Sequence, residues 1–439
     1  MNKNTNNIIK RVIFPIADFI MKTNVIHYYV RIRNMRTWSP DRIENWQNQN
    51  LQKIIHYAYN NTDYYKELFD KNGIKPAEIK TKKDLTKIPI LTRKLIIDNF
   101  GKIKSREINN ISHKIGRTGG TTGEPLTYLM DNITWSFSNA NNIINWEKTK
   151  YIFGQKYAAI GSTSIFVNKH KSLKHKLFYK FKNKVELDGM KMTDDDIRSH
   201  IKLIKKNKIK FIYGYTSAIY ILAKYVVKNE ISMQITACFP TSEILLDSYR
   251  EVIIEAFNCT VVNCYGANDG GITAYEHVKE SFEVGYSTII RVDNSEELSN
   301  SKGPILVTSL LNKSIPMINY QLGDEVKIKE NGGDYNGQVI EKVYGRTSDT
   351  IELENGNVLT GFSYYEQIFN LPVQAWDLSK IGKNSLLCKV IRLPDYGEDD
   401  ERKLISKLKD YAGSSSIIKV EYYDKFEIAK NGKRNYFLN

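Results

Sequence analysis

The chain reads as an α/β protein. A large N-terminal domain of helix-covered, mainly parallel sheets is expected, followed by a small mobile α+β domain. Three observations predict this. Short apolar runs alternate with amphipathic segments from Tyr157 onward, polar–apolar alternation takes over after Gly303-Pro304, and the segment beyond Gly345-Arg346 mixes short strands with one helix.

Residues 8–31 (IIKRVIFPIADFIMKTNVIHYYVR) are apolar but interrupted by Lys10, Arg11, Pro15, Asp18 and Lys22. A spanning helix needs about 20 uninterrupted apolar residues. No small-residue cleavage site is present either. The segment therefore reads as a helix lying on the protein body, or peripherally on a membrane surface. Over 41–73, Ile43, Trp46, Leu51, Ile54, Ile55 and Ala58 recur at helical spacing, and Asn72-Gly73 closes the run. Apolar runs at 157–160, 211–213, 236–239 and 260–264 predict strands, interleaved with helices near 194–206, 217–228 and 246–257. Residues 305–309 predict a strand, and 324–330 (DEVKIKE) a half-exposed antiparallel one. In the tail, 386–391 and 417–422 predict strands and 400–411 a helix. The organisation expected is a helical part (1–100), a core (101–346) and a small C-terminal domain (347–439).

With 41% hydrophobic and 26% charged residues, the chain can bury a core and is not a disordered tail. Lys plus Arg is 64 and Asp plus Glu 49, giving +15, but the lysines are spread along the chain. No RNP-type aromatic strand or zinc finger accompanies them, so no nucleic-acid partner is expected. The densest basic run, Lys169 to Lys184, reads as a solvated surface, or as a face that meets a phosphorylated ligand or an anionic membrane. Cys238, Cys259, Cys264 and Cys388 contain no CxxC pair and are too few for a disulfide scaffold. A reduced, cytoplasmic monomer or dimer is expected.

The segment Arg117–Pro125, RTGGTTGEP, is the most informative. Glycines let backbone N–H groups approach an anion and threonine hydroxyls add donors, so a phosphate suits it. It is no Walker A loop, since no Gly-Lys-Ser/Thr follows. A structural turn between strands is the plainer alternative.

Four further segments accompany it. Thr118-Gly119-Gly120-Thr121-Thr122-Gly123 resembles the phosphate loop TSGTTG of adenylate-forming enzymes. Tyr265-Gly266-Ala267-Asn268-Asp269 resembles their Tyr-Gly-x-Thr/Ser-Glu motif, and Tyr320-Gln321-Leu322-Gly323-Asp324 their Tyr-Arg-Thr-Gly-Asp. Gly345-Arg346-Thr347-Ser348-Asp349 resembles Gly-Arg-x-Asp-Asp, and Asn431-Gly432-Lys433 the Gly-Lys that carries a mobile lysine. The order is the family's, from Thr118 to Lys433. The branch resembled is that of phenylacetate–CoA ligase and the capsular polysaccharide biosynthesis protein CapK. The segments NLQKIIHYAYNNTDYYKELF, KIPILTRKLI and IKFIYGYTSAIYILA are similar to that branch too.

The resemblance implies an ATP-dependent ligase that joins a small carboxylate to AMP, releases pyrophosphate, and passes the acyl group to CoA or to an amine or hydroxyl acceptor. It implies that Thr118–Gly123 hold the phosphates, Asp269 a Mg²⁺ ion, and Asp324 the ribose hydroxyls. Arg346 would meet ribose or phosphate, and Lys433 would bridge carboxylate and α-phosphate. Thr241-Ser242-Glu243 would flank adenine with Tyr265 on its ring. The acyl group is expected near Tyr213, Gly214 and Tyr215, at a strand end, and near Gly270 and Gly271. Departures from the pattern are Gly119 for Ser, Glu124 where Lys is frequent, Asp269 for Glu, Gln321 for Arg and Ser348 for Asp. Three other features read as structural. Lone His277 is no zinc site. Asp194-Asp195-Asp196 after Thr193 is a capped helix start. Cys264 is a buried strand residue.

Overall fold

A computed structural model describes residues 14–117, 126–161, 183–189, 192–293, 301–329, 334–346, 351–352, 358–359, 371–427 and 437–438. The chain divides into two units. One comprises Met1–Leu322 with Val326–Lys342, and the other Gly323–Glu325 with Val343–Asn439.

The first unit opens with helices α1 (Phe14–Met21), α2 (Val25–Met35), α3 (Pro40–Asn61) and α4 (Asp63–Asn72). Helix α3 begins where the Ser39 hydroxyl accepts from Arg42 N and Pro40 fills the first turn. Thr62 caps α4, and Gly73, at φ 65°, closes it in the left-handed conformation. Helix α3 buries all the side chains predicted at helical spacing, Ile43 to Ala58, together with Gln47. A hairpin of β1 (His113–Arg117) and β2 (Thr127–Asp131) follows. It leads into α5 (Asn132–Glu147), whose first turn donates Thr134 N to the Asp131 carboxylate at 2.7 Å.

The large sheet has twelve strands. In chain order they are β3 (Tyr157–Gly161), β4 (Lys184–Asp188), β5 (Phe211–Tyr215), β6 (Ala237–Thr241), β7 (Thr260–Val261) and β8 (Asn263–Ala267). Then come β9 (Ile272–Val278), β10 (Ser281–Val284), β11 (Thr288–Val292), β12 (Lys302–Ser309), β13 (Tyr320–Lys329) and β14 (Val339–Arg346). Their spatial order is β11-β12-β13-β14-β10-β9-β8-β6-β5-β3-β4, with β7 beside β6. Strands β4, β3, β5, β6 and β8 are parallel. Helices α6 (Asp194–Lys206), α7 (Thr216–Lys228) and α8 (Asp247–Phe257) alternate with them along the chain.

From β8 onward the pairing turns antiparallel, through β9, β10 and β14. The sheet is thus mixed, more so than strand–helix alternation suggests. The reason is loop length. A parallel crossover needs a dozen or more residues, and only Asn268–Gly271 separate β8 from β9. The acids at 194–196 stand where the sequence puts them, in the first turn of α6. Thr193 and Asp196 there form a reciprocal capping box.

In the second unit β17 (Val373–Gly382), β18 (Ser385–Arg392), β19 (Ile417–Tyr422) and β20 (Phe437–Leu438) form a sheet of order β19-β18-β17-β20. Strands β18 and β19 are parallel, with α9 (Glu398–Ala412) between them in sequence. Trp376, Cys388, Val390, Leu404 and Leu408 are its buried core. A two-stranded ribbon, β15 (Ile351–Glu352) with β16 (Val358–Leu359), precedes it. Among the described residues no helix is long and apolar enough to cross a membrane.

The parallel half of the large sheet packs on Trp146 of α5. Its ring stacks on Phe239 at 4.8 Å and meets Tyr157, Tyr151 and Tyr213 edge-on or tilted at 4.9, 5.4 and 5.5 Å. Truncating an aromatic that fills such a cluster removes both transfer free energy and packing. Trp146→Ala is expected to cost about 3–5 kcal/mol, read as a lower urea midpoint for the first unit.

Candidate active site at the strand ends and the hairpin

Register places the sequence-predicted residues along one edge. Tyr215 of β5 lies opposite Thr241 of β6, and Thr241 opposite Cys264 of β8. The C-terminal ends of β5 and β6 are therefore level, the position where open α/β sheets bind ligands, and β8 runs on past them through Tyr265, Gly266 and Ala267. On β5, Gly214 approaches β3 so closely that a Cβ would stand 1.9 Å from the Ile160 carbonyl oxygen. Tyr215 is fully buried, whereas Tyr213 keeps partial exposure against Trp146.

The predicted adenine-flanking segment is anchored at both ends. The Thr241 hydroxyl donates to the Cys264 carbonyl at 3.0 Å. Ser242 takes a left-handed φ of 71°. The Glu243 carboxylate then accepts from Ser217 N at 2.7 Å and from the Ser217 hydroxyl at 3.1 Å. Its carbonyl accepts from the Thr216 hydroxyl at 3.1 Å. Helix α7 has no cap from its own preceding residue. Glu243 supplies one from the bend after β6, placing negative charge at the positive end of the helix. Tyr265 and Ala267 follow on β8, half-exposed, with Gly266 exposed between them.

The turn after β8 holds a buried carboxylate. Asp269 accepts from the Tyr320 phenol at 3.0 Å. Gly270 abuts Leu322 and Val307, each 2.8 Å from where a Cβ would stand, and Gly271 has φ 67°. Tyr320 is itself clamped. Gln321 N donates to the Leu91 carbonyl at 3.0 Å, and Leu91 N to the Asn319 carbonyl at 3.1 Å. Asn319, buried at φ 53°, donates to the Ile88 carbonyl at 2.7 Å and accepts from Arg291 Nε at 2.7 Å. The KIPIL segment thus latches the start of β13.

Tyr128 of β2 completes the cluster. Its phenol hydrogen-bonds Asn268, and burial together with the Asp269 charge pushes its pKa up to about 12. The ring lies across Gly116, its partner on β1, where a Cβ would come within 2.2 Å of it. The hairpin is fixed at its base. Asn312 accepts from Asp131 N at 3.2 Å and donates to the Leu129 carbonyl at 2.8 Å, and Lys313 N donates to the Asp131 carboxylate at 2.8 Å. Burial raises the Asp131 pKa, against these hydrogen bonds.

The structure thus gathers Tyr213–Tyr215, Thr241–Glu243 and Tyr265 on adjoining strand ends, and joins Asn268 and Asp269 to the hairpin. Thr118–Gly123 and Glu124 lie outside the described residues, but the strands on both sides of them are the two arms of that hairpin. Lys433, Thr347, Ser348 and Asp349 also lie outside. Arg346 ends β14, and Asp324 lies half-buried on β13, in the portion grouped with the second unit. Sequence reading missed Tyr128, Gly116 and Asn319. Only a tyrosine shortly after the loop and a glycine just before it hinted at the first two.

His277 of β9 hydrogen-bonds Asn145 through Nε2 at 3.0 Å. No group of three or more His, Cys, Asp or Glu stands together among the described residues. Cys264 is buried in β8, and burial raises its thiol pKa well above the usual range.

No family model matches the chain. The chain is 25% identical to protein CapK of Staphylococcus aureus over 436 residues, 96% of this chain and 94% of that protein. Over 91 residues, 21% of each chain, it is 30% identical to phenylacetate-coenzyme A ligase of Escherichia coli strain K12. The crystal structure of 2-hydroxyisobutyryl-CoA ligase, in the postadenylation state with R3-HIB-AMP, matches with a TM-score of 0.69 at 14% identity, covering 89% of this chain and 88% of that one. The chain has the fold of the adenylate-forming CoA ligases.

Two outcomes follow from the geometry. Gly116→Ala is expected to displace the Tyr128 ring and cost about 1–3 kcal/mol, but much less in a Tyr128→Ala background. Urea titrations of the double-mutant cycle measure that coupling. Burial, aided by the Lys148 and Arg36 charges and opposed by Glu283, pushes the His277 pKa from 6.5 down to about 4. Between those values the unfolded chain takes up a proton that the folded chain refuses. Stability should therefore fall as pH drops from 6.5 towards 4, and His277→Gln should flatten that part of the profile.

Proposed function

We propose that the chain is an ATP-dependent, AMP-forming ligase. The observation that carries this reading is the Tyr320–Asp269 hydrogen bond, next to level strand ends and joined through Asn268 and Tyr128 to the hairpin of the Gly/Thr-rich loop. Catalysis of attack on a phosphate is mostly positioning and electrostatic stabilisation, and these residues position. The amides and hydroxyls of Thr118–Gly123 would cradle the phosphates. Tyr265 and the anchored Thr241–Glu243 segment would bracket the base. Asp324 would accept from the ribose hydroxyls, with Arg346 near ribose or phosphate.

A hard divalent ion prefers carboxylate and phosphate oxygen. Asp269 is held by Tyr320 as such a donor, and Mg²⁺ there would neutralise phosphate charge. Lys433 would bring positive charge between the carboxylate and the α-phosphate. The carboxylate oxygen then bonds to the α-phosphorus as pyrophosphate leaves, and CoA or an amine or hydroxyl acceptor displaces AMP. Tyr213 of β5, with Gly270 and Gly271, would border the acyl group. The likeness to CapK along nearly the whole chain supports a place in capsular or other surface polysaccharide synthesis.

Carboxylate-dependent exchange of labelled pyrophosphate into ATP tests the reading. Lys433→Ala and Asp324→Ala are each expected to lower exchange by about 10²–10³-fold while ATP still binds. ATP binding with no exchange over a broad panel of acids would instead mark a non-catalytic nucleotide-binding partner. Product masses with and without CoA identify the acceptor.

A further inference from the structure

Helix α1 presents an apolar face that the proposed ligase chemistry does not use. Its inner side is fixed to the body. Phe14 and Ala17 are buried, and the Phe14 ring meets Phe153 edge-on at 4.6 Å. Asp18 accepts from the Thr23 hydroxyl at 2.7 Å and from Ile26 N at 3.0 Å. Asn132 donates to the carbonyls of Met21 and Lys22 at 3.2 and 2.9 Å. The outer side is bare: Ile16, Phe19 and Ile20 are 52%, 87% and 43% exposed. Ile133 and Ile152, beside two of the anchor points, are exposed as well. One face of α1 thus lies on the protein body and the other is exposed.

The sequence about α1 is basic. Residues 8–33 carry Lys10, Arg11, Lys22, Arg31 and Arg33 against the lone acid Asp18. That acid is buried and occupied with backbone and hydroxyl donors. The area argues against a second copy of the chain. Among the described residues α1 runs for eight, about 12 Å of length, and its outer face offers three bulky apolar side chains, whereas a stable interface takes roughly 800 Å² from each partner. A helix with bulky apolar side chains outward, exposed Lys22 at its end and a basic sequence about it suits the boundary between headgroups and acyl chains of an anionic bilayer.

We propose that the outer face of α1 docks the protein peripherally on an anionic lipid bilayer, with Phe19, Ile16 and Ile20 inserted below the headgroups. Vesicle flotation of the full chain tests this, using phosphatidylcholine with and without about a quarter phosphatidylglycerol. The wild type is expected to float with the anionic vesicles and far less with pure phosphatidylcholine. Phe19→Asp/Ile20→Ser should lower partitioning roughly tenfold or more, with an unchanged thermal melt because both side chains are exposed. Equal partitioning of wild type and variant, or none by either, would overturn the proposal. So would light scattering that shows a wild-type dimer abolished by the variant, without vesicle binding.

Discussion

A buried phenol on a buried carboxylate holds the candidate site together. Tyr320 and Asp269 lie 51 positions apart in sequence, and their 3.0 Å hydrogen bond ties the start of β13 to the turn after β8. A carboxylate loses hydration when buried, so it persists there only with donors in place. Tyr320 can donate because its backbone is latched by Leu91 and preceded by Asn319, whose side chain bonds Ile88 and Arg291. A residue proposed to face a metal and phosphates is thus oriented by groups that touch neither.

The same economy recurs at the neighbouring strand ends. Glu243 caps α7 from the bend after β6, so the carboxylate that orders the helix also orders the segment expected to flank adenine. Ser242 stays in an uncommon backbone conformation because Thr241 and Glu243 are fixed on either side. On the hairpin, Gly116 is small because Tyr128 lies over it, and Tyr128 reaches Asn268. The arms of the hairpin are thereby tied to the turn after β8.

The mixed sheet explains how these parts reach one edge. The parallel strands β5 and β6 end at the same level, and β8 carries Tyr265 and Ala267 beyond it. The short Asn268–Gly271 turn then reverses the chain and places Asp269 just past the end of β8. Gly270 and Gly271 allow the turn to pack against Leu322, Val307 and Ser309.

The sequence by itself determined the class of fold, strands β3, β5, β6 and β8 and helices α6 to α8 of the parallel half, the capped start of α6 and the five motifs. Each is a local signal: a period, a cap, or a short run of glycines and hydroxyls. It also placed Cys264 in a strand interior, but it did not signal β4 or α5. Only the tertiary structure decided that Tyr128 joins Asn268, that Tyr320 serves Asp269 and that Glu243 caps α7. It alone also decided that one face of α1 is packed and the other bare. These depend on side chains that meet across 26 to 140 positions of chain, and no residue pattern encodes such a meeting until the sheet has set the register.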